Sequence, residues 1–139
     1  MKTPKRPPVL YTDMTTDSPP LVRDVMSSPL VTISKRATLA EAATKMRDEN
    51  VSALFIPGSS AGIVTTTDVV AAVADGLDLT SVTVTEVMTA PVERITTRED
   101  VSAAAAMMTN FGIKHLPVVD GDGDYVGMIS TTDLTTSLV

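Results

Sequence analysis

Two aspartates stand in matching settings. Asp68 closes the run Gly-Ile-Val-Thr-Thr-Thr-Asp (62–68), and Asp133 closes Gly-Met-Ile-Ser-Thr-Thr-Asp (127–133). A carboxylate only accepts hydrogen bonds, so each aspartate can take both hydroxyl protons of a ribose cis-diol. The same placement also suits a helix start. There, Thr65 or Ser130 followed three residues on by Asp satisfies free amides and meets the positive end of the helix dipole. Spacing alone leaves both chemistries open.

Other polar clusters carry less. Asp120-Gly-Asp-Gly-Asp124 invites a calcium reading. An EF-hand loop needs a bidentate Glu at its twelfth position, and counting from Asp120 that position is Thr131. The run is therefore expected to be a Gly-Asp hairpin turn. The chain has one His, His115, and no Cys. Disulfides, thiolate metal sites and cysteine catalysis are excluded, and no second catalytic group sits at a telling spacing from the histidine. An enzyme is the weaker reading, and no metal site is expected.

Composition narrows the partners. The 139 residues carry a net charge of −6. An acidic surface repels phosphate backbones, so nucleic acid is a poor partner. The only basic cluster is Lys2, Lys5 and Arg6. No apolar run approaches the ~18 residues of a membrane span, and the N-terminus lacks the apolar stretch of a signal peptide. A cytoplasmic protein is expected. With no Trp, two Phe and two Tyr, the core must come from Val, Ile, Leu, Met and Ala.

These residues are held in a repeated frame. Val22, Val25, Met26, Pro29 and Ile33 recur as Val84, Val87, Met88, Pro91 and Ile95, each 62 positions on (88 minus 26). Ala42, Ala43 and Met46 recur as Ala104, Ala105 and Met108 at the same shift. Gly62, Thr66, Thr67 and Asp68 match Gly127, Thr131, Thr132 and Asp133 at a shift of 65. The added residues fall in a turn, where length change is tolerated. Such a pattern is a duplication.

Each copy predicts the order β-α-β-β-α, an α+β fold. Leu30–Ile33 is a short β run. Thr38 opens a helix with Glu41 completing a capping box, and Leu39, Ala42, Ala43 and Met46 form its apolar stripe. Asp100 caps the equivalent helix, striped by Val101, Ala104, Ala105 and Met108. Strands are expected at Ala53–Ile56 and Ile63–Thr65, matched by Leu116–Val119 and Val126–Ser130. Final helices start near Asp68 and Asp133. The repeats occupy residues 21–79 and 80–139. Residues 1–20, with five prolines, read as a tail or an extended arm.

The run Val-x-[Asp/Glu]-Val-Met-[Ser/Thr]-x-Pro, then an Ala-rich helix, then Gly-h-h-[Ser/Thr]-Thr-Thr-Asp-h (h apolar) resembles the CBS domain, named for cystathionine β-synthase. The tandem pair is similar to a Bateman module and covers about residues 20–139. The resemblance implies two units related by a pseudo-twofold axis and two clefts between them for adenosine-containing ligands. AMP, ADP, ATP, S-adenosylmethionine and NAD-like dinucleotides are the implied ligand class, and binding would regulate a separate protein. The implied first cleft joins Met26, Val31, Val51, Ser52 and Ala53 to Ser130, Thr132 and Asp133. The implied second joins Thr65, Thr67 and Asp68 to Met88, Glu93, Ile113, Lys114 and His115.

The copies differ where it matters. Lys114 and His115 replace Ser52 and Ala53, which suggests that a phosphorylated ligand prefers the Asp68 cleft; an exposed Lys and a sheet-capping His is the alternative. Glu93 replaces Val31 and opposes phosphate there. Phe55 stands where the other copy has Pro117, and is expected to alter the first cleft's wall. Val69–Ala74 and Ala103–Met108 are apolar all round, which suggests helices that pair modules into a homodimer. A structural module with vestigial clefts is the remaining reading.

Overall fold

The computed structural model describes residues 19–137. Most of the expected tail, with its basic cluster, lies outside that range. The first copy contains α1 (Val22–Val25), α2 (Leu39–Glu49), β1 (Ala53–Ile56), β2 (Gly62–Thr65) and α3 (Thr66–Ala74). The second contains α4 (Val84–Val87), β3 (Ile95–Thr96), α5 (Val101–Phe111), β4 (His115–Val119), β5 (Tyr125–Ser130) and α6 (Thr131–Ser137). The fold class is the α+β arrangement the repeat predicts.

Local chemistry sets the helix starts. Thr38 Oγ1 accepts from the Glu41 amide at 3.1 Å, and Glu41 Oε1 accepts from the Thr38 amide at 2.8 Å, which is the expected box. Asp100 caps α5 through the Ala103 amide at 3.0 Å. The helices end at Asn50 and Gly112, both left-handed, at φ 56° and 66°.

Strand pairing departs from expectation in one place. Leu30–Ile33 forms no strand. It contributes a single parallel bridge, Thr32 to Phe55, because only Val31 and Ile33 exchange hydrogen bonds with that residue. The matched segment of the second copy extends far enough to make β3, parallel to β4. The antiparallel hairpins β1–β2 and β4–β5 follow the sequence pattern.

The two copies are interlocked rather than side by side. Val22 and its neighbours Val25 and Met26 pack into the core of the second copy, with Leu116, Val118 and Ile129. Val84, Val87 and Met88 pack into the core of the first, with Leu39, Leu54 and Val64. Backbone hydrogen bonds follow the exchange. Ser27 and Met128 donate to each other's carbonyls at 2.8 and 3.0 Å, and Thr89 and Ile63 do the same at 2.9 and 3.0 Å. Gly62 and Gly127 allow this approach. A Cβ at Gly127 would sit 2.7 Å from the Ser27 carbonyl oxygen, and one at Gly62 would strike the Met88 sulfur. The Met and Gly of the repeat are thus contact partners across the copies. Phe55 stacks on Tyr125, ring centroids 4.4 Å apart, and adds a third join. Among the described residues, no helix is long and apolar enough to cross a membrane.

Candidate functional site

Two of the cavities between the copies are lined by residues the sequence singled out. The first, of about 360 Å³, is lined by Val31, Val51, Ser52 and Ala53 from one copy and by Ser130, Thr132 and Asp133 from the other. The second, of about 470 Å³, is lined by Thr65 and Thr67 from one copy and by Glu93, Ile113, Lys114 and His115 from the other. Both volumes fall in the range that takes a small molecule.

Four expected residues lie off these walls. Met26 and Met88 are half-buried, packed over Gly127 and Gly62 as the glycine contacts require. Asp68 does not line the second cavity. Phe55, 3% exposed, is committed to Tyr125 and does not line the first cavity; its aromatic partner, which the sequence pattern did not reveal, holds it elsewhere. The cavities also recruit residues that no polar motif marks, among them Asn50 and Met128 in the first and Phe111 and Pro91 in the second. Pro29 and Pro91 are matched in the repeat, and each lines its own cavity, so the repeat itself held that signal.

Both aspartates cap helices. Asp133 Oδ2 accepts from the Ser130 amide at 2.8 Å and the Ser130 hydroxyl at 3.1 Å. Asp68 Oδ2 accepts from Thr65 in the same way, at 2.8 and 3.1 Å. Capping occupies one oxygen of each carboxylate. Among the described residues no hydrogen bond reaches the other oxygen, Oδ1, of either. Capping and diol recognition are therefore compatible in one residue: the cap fixes the side chain, and Oδ1 remains to accept. Asp133 presents this arrangement on a cavity wall.

His115 opens β4, and its strand partner is Ser130. Its Nε2 lies 3.0 Å from the Ser52 hydroxyl, across the interface between copies. The ring lines both cavities. Burial pushes its pKa below the ordinary value of 6.5; Asp133 raises it, Lys114 lowers it, and Asp68 raises it. The imidazole is thus neutral near pH 7, with one N–H to donate. Lys114 is exposed and faces the second cavity only.

Asp120–Asp124 forms the β4–β5 turn. Asp120 Oδ1 accepts from the Asp122 and Asp124 amides at 2.9 and 3.0 Å. The three carboxylates come within 4.8 Å of one another, but the amides already engage Asp120 in the hairpin role its sequence suggests.

Comparison with known proteins agrees with this architecture. The family model for the CBS domain matches residues 22–75 and 84–139. An uncharacterized 17.7 kDa protein of Acidianus ambivalens is 31% identical over 121 residues, spanning 85% of this chain and 73% of that protein. An L-aspartate semialdehyde sulfurtransferase of Methanosarcina acetivorans is 32% identical over 123 residues. That match spans 86% of this chain but only 24% of the enzyme, so its catalytic name does not transfer. Among solved structures, the CBS domain pair of protein MJ0100 in complex with 5′-methylthioadenosine and S-adenosyl-L-methionine superposes with a TM-score of 0.78 at 28% identity, covering 87% of this chain and 97% of that one. A CBS domain protein from Pyrobaculum aerophilum complexed with AMP gives a TM-score of 0.72 at 25% identity, covering 81% of this chain and 88% of that one.

Proposed function

The chain belongs to the CBS domain family, and on that premise we propose that it is a regulatory module binding adenosine-containing small molecules in the clefts between its copies. One observation carries the reading. Asp133, held by its own cap with Oδ1 to spare, shares a cavity wall with the Val51–Ala53 backbone of the opposite copy. A ribose diol would meet Oδ1, and the purine would lie between Val31, Val51 and Ala53, its edge read by backbone groups. The relatives that hold AMP and S-adenosylmethionine support this ligand class. Because the ligand contacts both copies, its binding favours whichever mutual orientation fits it, and differential affinity of that kind is what drives a conformational response.

The second cleft suits a phosphorylated ligand through Lys114 and His115, against the opposing charge of Glu93. His115 faces the first cleft as well, so the preference for phosphate in the second rests on Lys114. Calorimetric titration with AMP and with S-adenosylmethionine tests the reading. Asp133→Asn keeps an oxygen for the cap but loses an acceptor, and should weaken binding about 10-fold or more, the scale of a charged hydrogen bond. Unchanged affinity would remove Asp133 from the site. No binding or thermal shift with any nucleotide, S-adenosylmethionine or NAD would favour a structural module with vestigial clefts.

A homodimer is part of the proposal. Val70 and Val73 of α3 are 66% and 59% exposed, and both lie in the run whose apolar character exceeds what packing within one module uses.

A further inference from the structure

His115 is the one residue that lines both cavities. It sits where the copies meet, its Nε2 3.0 Å from the hydroxyl of Ser52, which lines only the first cavity. We propose that His115 couples the two clefts, so that an anionic ligand in one weakens binding of an anionic ligand in the other. This rests on the reading of both clefts as sites for adenosyl ligands.

The physical reason is a shortage of donors. A neutral imidazole carries one N–H, and its other nitrogen presents a lone pair. With the proton on Nε2 the ring donates to Ser52, whose own hydroxyl proton is then left to donate into the first cleft. To serve a phosphate in the second cleft, the proton must move to Nδ1. Ser52 then donates its hydroxyl proton to the bare Nε2, and the first cleft loses that donor. Whichever ligand binds first claims the N–H, and the next meets a lone pair. An imidazolium has two N–H groups and can serve both clefts at once. The charges acting on the ring come from several elements: Asp133 of α6, Asp68 of α3, Lys114 beside it in the chain, and Glu93 on the second cavity's wall. Burial is the largest influence and keeps the ring neutral, so the coupling is at full strength at neutral and alkaline pH and fades as pH falls and the ring protonates.

AMP titrated calorimetrically into the full chain at about pH 8 and about pH 5.5 tests this. The reference is a chain with one cleft plugged: Thr67→Trp blocks the second cleft, and Thr132→Trp the first, both at exposed wall positions. In the unaltered chain at the higher pH, the weaker step should lie about 5–10-fold above the dissociation constant of the same cleft in its plugged reference. The gap should close to within about twofold in His115→Ala at either pH, and in the unaltered chain it should narrow toward the lower pH. Ser52→Ala, which frees the ring from its anchor and leaves the imidazole in place, should shrink the gap and serves if His115→Ala does not fold. An equal gap in both variants, or no gap in the unaltered chain at the higher pH, overturns the coupling while leaving the ligand reading intact. Absence of AMP binding in every protein overturns both, and is told apart by the lack of heat in the plugged references.

Discussion

A methyl group added at Gly127 would lie 2.7 Å from the Ser27 carbonyl oxygen and 2.8 Å from the Met26 sulfur. The carbonyl is backbone, paired with Met128, and has little room to yield. At Gly62 the closest atoms belong to the flexible Met88 side chain, with the Thr89 oxygen at 3.1 Å. Overpacking costs about 1–3 kcal/mol. Gly127→Ala should therefore fall near the upper end and Gly62→Ala near the lower, as read by chemical denaturation; equal losses would mean the two crossings are not packed as described. His115 makes a second prediction at this scale. Burial depresses its folded pKa, so the unfolded chain takes up the proton more readily than the folded one. The associated stability is present above the unfolded value of about 6.5 and is lost as pH falls from there through the folded pKa. Melting curves between about pH 7.5 and 5 should fall less steeply for His115→Gln than for the unaltered chain. Identical slopes would contradict a half-buried, neutral ring.

At the level of elements, the capping boxes decide what a substitution at an aspartate reports. Asp68→Ala removes the acceptor for the Thr65 amide and hydroxyl, and should cost about 1 kcal/mol through the start of α3. Asp68→Asn retains an acceptor and should cost less; a reversed order in thermal denaturation would show that the cap is not what Asp68 supplies. The helices, hairpins and N-terminal caps were legible because each is a local pattern: Thr38 with Glu41, Asp100 before its apolar stripe, and short apolar runs parted by turns. The missing first strand was not, because Leu30–Ile33 has strand composition but pairs through its backbone amides only with Phe55. The one-turn helices α1 and α4 are too short for any periodicity to mark. The repeat matched at Ser130–Asp133, and Ser130, Thr132 and Asp133 line the first cavity; Val51–Ala53 line it too, although the copies differ there. Met26, Met88 and Asp68, expected on the walls, do not line these cavities, for a different reason. Which side of a segment faces the cleft depends on where the other copy lies, and no local pattern encodes that.

For the whole molecule, the exchange of α1 and α4 makes the copies mutually dependent. Residues 21–79 alone lack Val84, Val87 and Met88, which fill their core. The isolated segment should give the circular dichroism of an unfolded chain, whereas the full chain should unfold in one transition; a folded fragment would refute interlocking. The exposed Val70 and Val73 carry the dimer proposal. Val70→Asp with Val73→Asp should shift sedimentation from dimer to monomer, and a chain that is already monomeric at micromolar concentration would end that proposal. The central claim is that a single adenosyl ligand bridges the two copies at the Asp133 cleft. Amide resonances followed during AMP titration test it most directly. Concerted shifts at Val51–Ala53 and at Ser130–Asp133 are predicted, and shifts confined to one of these segments, or to neither, would contradict it.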